Sequence, residues 1–213
     1  MKTDELVTLL ATGATAVETH VAVRRYSVAV ASGLIGAALL MLSLLKVRAD
    51  LAEAAMLPLF WLKIGFVASR MAAALFATVR LSRPGARTGR LPVAMATPVV
   101  LMWAVAAVVL YVAEPATRAG LFLGQTWQSC PLLIALLSAP ALVTLIWATK
   151  GLAPTRPRLA GFAAGLLSGG IAALVYSLHC PEIEAPFVGF WYLLGMLIPA
   201  GAGAWLGESL LSW

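Results

Sequence analysis

The chain has 213 residues, 62% of them hydrophobic and 11% charged, with a formal charge of +6 and a mean hydropathy of +0.94. Soluble domains run near 45–50% apolar and about 25% charged, which excludes one here and leaves an integral membrane protein. Nucleic acid is not the expected partner of the positive charge, because the basic residues flank apolar runs instead of forming a continuous basic surface.

The opening residues 1–25 are the only sizeable soluble piece. Thr3 is placed to cap a helix whose first turn carries Asp4 and Glu5, a favourable start for the helix dipole. Leu6, Leu9, Leu10 and Val17 then recur on one face, with Gly13 weakening the middle. So short an amphipathic helix is marginal alone and needs a partner. Its acidic first turn disfavours an anionic lipid surface, so a protein groove is the expected one, met by Thr3, Asp4, Glu5, Leu6, Leu9 and Leu10. The segment contains Asp4, Glu5 and Glu18 and lacks a basic secretory leader, so the first apolar run is expected to remain as a span.

Six apolar runs follow: Tyr26–Leu45, Met56–Val79, Leu91–Val112, Pro131–Thr149, Leu159–Leu178 and Phe187–Leu206. Each is close to the ~20 residues a helix needs to cross the hydrocarbon core. The connections are too short to fold alone. The expectation is an all-α polytopic membrane protein, residues 26–213 forming one bundle of six transmembrane helices. Lys2, Arg24, Arg25, Arg80, Arg83, Arg87, Arg90, Lys150, Arg156 and Arg158 fall on one side, and Lys46, Arg48 and Arg118 on the other. By the positive-inside rule both termini are then cytoplasmic, and the cluster RLSRPGARTGR is a topology signal whose contacts with anionic lipid are incidental.

Two charges lie inside the second span. Lys63 and Arg70 are seven residues apart, on one helical face. Lys63, beside Trp61, is expected to snorkel to the outer interface. Arg70 is deeper, and because no span carries Asp or Glu near its middle it must find carbonyls, hydroxyls or water.

The expected topology brings Cys130, at the start of the fourth span, and Cys180, at the end of the fifth, to the same outer face. In a bacterium that face is the periplasm, where disulfides persist. Cys180 sits in SLHCPEIEAPF, beside His179, Glu182 and Glu184. A protonated His179 lowers a neighbouring thiol's pKa and the glutamates raise it, so the sign is open. The pair reads as a thiol sensor or a structural disulfide. Two small buried hydrophobes, or a soft-metal site with His179, are the alternatives; without CxxC or HxxxH spacing the metal is left unassigned. Gly161, Gly165 and Gly169 on the fifth span, with Gly195, Pro199 and Gly203 on the sixth, predict a tight helical hairpin. Pro98, Pro140 and Pro199 are expected to kink their helices.

From end to end the chain resembles the NrsF-type six-span membrane anti-sigma factors, negative regulators of an extracytoplasmic-function sigma factor of the sigma-F type. The resemblance rests on MKTDEL, PLFWLK (Pro58 to Lys63), LAPTRPRLAG (Leu152 to Gly161) and LHCPEIEAPFVGFWYLLGM (Leu178 to Met196), with a second cysteine in WQSCP (Trp127 to Pro131). It implies a protein of the bacterial inner membrane that holds its sigma factor inactive and releases it under stress. The amino-terminal segment would bind the sigma factor, and Cys130 and Cys180 would sense the stress. No catalytic residue, cofactor, direct nucleic-acid contact or small-molecule substrate is expected. A membrane thiol-disulfide oxidoreductase or a small transporter is the competing class; isolated cysteines argue against the first, and a single candidate midplane group, Arg70, against the second.

Overall fold

The computed structural model describes residues 3–12, 21–83, 85 and 89–212. Lys2, Gly13, Val17, Glu18 and Arg87 of the sequence reading lie outside the described residues, as do the side chains of Leu6, Leu9 and Leu10. All regular structure among the described residues is helical: α1 Thr3–Thr12, α2 Val21–Leu44, α3 Leu51–Ala54, α4 Pro58–Leu81, α5 Leu91–Val112, α6 Pro115–Leu123, α7 Cys130–Lys150 and α8 Pro157–Tyr176, then α9 Ala185–Leu210. Six of these, α2, α4, α5, α7, α8 and α9, are long and apolar enough to cross a membrane.

Local chemistry explains where the helices begin. Pro58, Pro92, Pro115, Pro131, Pro157 and Pro186 each occupy a first helical turn, where the missing N–H would have no partner anyway. α1 carries Asp4 and Glu5 in its first turn as expected, but Thr3 is its first helical residue instead of its cap. The span helices run through Pro98, Pro140 and Pro199 without interruption. The short α3 and α6 lie in connections read only as too short to fold alone.

The bundle is centred on α8, 83% of whose apolar window is buried, whereas α5, at 11%, is the most peripheral. α8 packs against α9, α7 and α4, while α2 lies on α7 and α5 on α4 and the start of α9. The expected hairpin forms through α8 and α9. A Cβ on Gly165 would stand 2.1 Å from the Pro199 carbonyl oxygen, and one on Gly161 2.1 Å from that of Gly203. Gly195 departs from the expectation: it faces Ile134 of α7, 2.9 Å from where its Cβ would be. Within α9, Val188–Tyr192 winds as a π-helix. The Gly189 carbonyl there accepts from the Trp103 indole of α5 at 2.9 Å, one reason the peripheral helix is held at all.

Candidate functional site

Cys130 opens α7, and Cys180 lies in the loop leaving α8, its N–H on the Tyr176 carbonyl at 2.9 Å. The fold brings these two residues, fifty apart in sequence, to one end of the bundle. Both are free thiols, and both are 0% exposed. The sulfurs are neighbours, Cys130 donating towards Cys180, with the Thr126 hydroxyl 3.9 Å from the Cys180 sulfur. Two aromatic rings close the site, Tyr176 and Tyr192, with centroids 5.8 Å apart. The buried Tyr192 hydroxyl faces Cys180 and has no partner at hydrogen-bond length among the described residues.

Lys63 does not snorkel to water as expected. It is 1% exposed, and its ammonium donates to the carbonyls of Cys180 and Glu182, both at 2.9 Å, while lying 5.2 Å from the centre of the Tyr192 ring. The reason is local. The loop turns its carbonyls inward, and a buried ammonium and buried carbonyls satisfy one another better than either would alone.

Three further contacts fasten the same loop. The Arg48 guanidinium reaches the Pro181 carbonyl at 3.3 Å and that of Cys180 at 3.4 Å, and is itself fixed by Asp50 at 2.5 and 2.7 Å. That guanidinium holds the Asp50 carboxyl at about 2, below the usual carboxylate range. His179 places Nδ1 2.8 Å from the Lys46 carbonyl. Glu182 accepts from the Gln125 N–H at 2.7 Å, in a cradle that only a glycine leaves open: Gly124 has φ +55°, and a Cβ there would meet the carboxylate at 2.7 Å.

The first influence on the Cys180 thiol is its neighbour Cys130, not His179 or the glutamates. The Cys180 thiol is held below its ordinary value, first by the hydrogen bond from Cys130, with burial opposing and the Lys63 ammonium assisting. His179 is engaged with Lys46, and among the described residues no three His, Cys, Asp or Glu side chains are grouped as metal ligands. The arrangement can form a thiolate at Cys180, with Cys130 beside it as resolving thiol or second ligand.

Arg70 finds the carbonyl it was expected to need, that of Met95 on α5. Its Nε is buried without a partner. It lies apart from the thiol contacts. In α1, Thr3, Asp4 and Glu5 are exposed. The clamp made by Lys63, Arg48 and Gly124 escaped sequence reasoning, although PLFWLK and the lone lysine in a span marked Lys63 as unusual. An aromatic girdle rims this end of the bundle, with Trp127 and Trp191 at 5.3 Å and Phe122 and Phe190 at 5.2 Å, as side chains at a membrane boundary do.

A family profile described as a negative regulator of sigma F, NrsF, matches residues 10–213. The chain is 60% identical over 213 residues to the probable anti-sigma-F factor NrsF of Azospira oryzae, covering all of both chains. It is 40% identical over 215 residues to the anti-sigma-F factor NrsF of Caulobacter vibrioides, again over the full length of both. No solved structure matches.

Proposed function

The chain belongs to the NrsF family of negative regulators of sigma F, and from that membership we propose how it works: it holds a sigma factor of the extracytoplasmic-function class at the bacterial inner membrane through its amino-terminal segment, and releases it when the buried thiol pair is modified under stress. Its role is regulatory, with a sigma factor as partner. The distribution of basic residues supports cytoplasmic termini and thiols at the periplasmic end. His179 belongs to the sensor loop as a brace on Lys46, and Thr3, Asp4, Glu5, Leu6, Leu9 and Leu10 carry the contact with the sigma factor.

The observation that carries this reading is the pair of free, adjacent thiols wholly sealed inside a membrane bundle. Any bond made there alters packing between α7, α8 and α9. Forming a disulfide breaks two S–H bonds, passes two electrons and two protons from the thiols to the oxidant, and is worth about 2–4 kcal/mol. An adduct or a metal must displace close-packed side chains, at about 1–3 kcal/mol. Shifts of this size, coupled to a segment bound differently in two states, move a partner from largely held to largely free.

The test is co-purification of sigma F with the detergent-solubilised protein. The full-length chain retains it, the chain lacking residues 1–25 does not, and Cys130→Ser/Cys180→Ser retains it but fails to release it on thiol oxidation. A truncated chain that still captures the sigma factor removes the binding assignment. A double variant that still responds normally removes the sensor.

A further inference from the structure

At the end of the bundle away from the thiols, three hydroxyls are sealed from water: Tyr26 at 3%, Ser82 at 3% and Thr149 at 0% exposed. Tyr26 lies in α2, just beyond the amino-terminal segment. Its hydroxyl contacts that of Ser82, the residue closing α4, and that of Thr149 in the last turn of α7 at 3.1 Å. Ser82 also donates to the Thr78 carbonyl at 2.8 Å, and Thr149 to the Leu145 carbonyl at 2.8 Å. Each hydroxyl has a single proton. Three protons therefore serve four contacts, and one contact always lacks a donor. While Ser82 and Thr149 bond their own helices, the Tyr26 proton goes to one of them and never to both.

The two competing helices are those that reach the thiol site. Lys63 stands nineteen residues before Ser82 on α4, and Cys130 nineteen before Thr149 on α7, each arm about 28 Å of rigid helix. Hydrogen bonds weaken steeply with sub-ångström lengthening. A slip of α7 against α4, caused at the thiol end, decides which acceptor the Tyr26 proton serves. α2 is also tied to α7 here, through Thr144 donating to the Ala29 carbonyl at 3.0 Å and through Gly33, where a Cβ would stand 2.8 Å from Ala141.

We propose that Tyr26 is the positioning residue of the amino-terminal segment: a two-way selector between Ser82 and Thr149 that converts the relative placement of α4 and α7 into the angle at which the segment leaves the bundle. This rests on the reading that the segment holds the sigma factor. It does not require the thiols to be the signal.

The experiment measures the affinity of purified sigma F for the full-length protein in nanodiscs, untreated and after N-ethylmaleimide. Ser82→Ala leaves Thr149 the sole acceptor, and Thr149→Val leaves Ser82. The two variants should shift affinity in opposite directions, each about fivefold, the worth of one ordinary hydrogen bond, whereas simple destabilisation would move both the same way. Tyr26→Phe should give one affinity with or without the reagent. Shifts of one sign, or none, overturn the proposal. Opposite shifts in a protein whose wild-type form ignores the reagent leave the selector standing and overturn the thiol sensor. A full-length chain that holds no sigma F overturns both.

Discussion

Lys63 is the residue around which the thiol loop is organised. A charge-assisted bond to a carbonyl contributes more than a neutral one, about 1.5–3 kcal/mol, and Lys63 makes two. Lys63→Met fills similar space but takes the ammonium from the Glu182 carbonyl and leaves the Cys180 carbonyl only the longer contact from Arg48, at 3.4 Å. It should lower stability by about 2 kcal/mol. It should also raise the Cys180 thiol, because the ammonium helps to hold it down. A group depressed in the folded state contributes its full stability above its unfolded value, and that contribution is lost as the pH falls from there through the folded value. The pH profile of Cys180 alkylation, followed by peptide mass spectrometry, should therefore move to higher pH in Lys63→Met. An unmoved profile would reduce Lys63 to a packing role.

At the scale of elements, the α8–α9 hairpin depends on backbone approach. Gly165→Ala puts a methyl 2.1 Å from a carbonyl oxygen, so the helices must part, at a cost of about 1–3 kcal/mol. Gly65→Ala meets nothing within 4 Å and should be neutral or slightly stabilising. Denaturation midpoints in micelles compare the two, and equal midpoints would show that this glycine face does not hold the hairpin. Such elements were legible beforehand, because hydropathy run lengths and four-residue glycine spacing are properties of a single helix. The spans agree with the apolar runs to within a few residues, α2 starting at Val21 instead of Tyr26. The clamp on Cys180 was not legible. It joins Lys46, Arg48, Lys63 and Gln125 from three other parts of the chain, and no local pattern encodes which loop turns its carbonyls towards which cation. The Tyr26 cluster was hidden likewise, since serine and threonine in a span commonly bond their own helix.

For the molecule as a whole, a central helix buried on nearly all sides and a peripheral α5 describe a bundle with a stiff middle and a compliant flank. By burial the middle is α8 with α9 and α7, while α4 and α7 run from the thiol end to the end at which α2 begins. The described residues of α1 that are exposed, among them Thr3, Asp4 and Glu5, are a small fraction of the chain. On the proposed function, the remainder is the apparatus that presents them.

The complete burial of both thiols also sets the time course of any response. No reagent reaches a sulfur at 0% exposure until the clamped loop opens locally, so modification waits on a fluctuation. At low reagent the rate should rise in proportion to concentration, and at high reagent it should level off at the opening rate. Stopped-flow alkylation over a wide concentration range distinguishes this from direct attack, which never levels off. A plateau would make the protein a timer: brief exposure to an agent, however intense, passes unrecorded, and only exposure that outlasts the closed interval of the loop is registered.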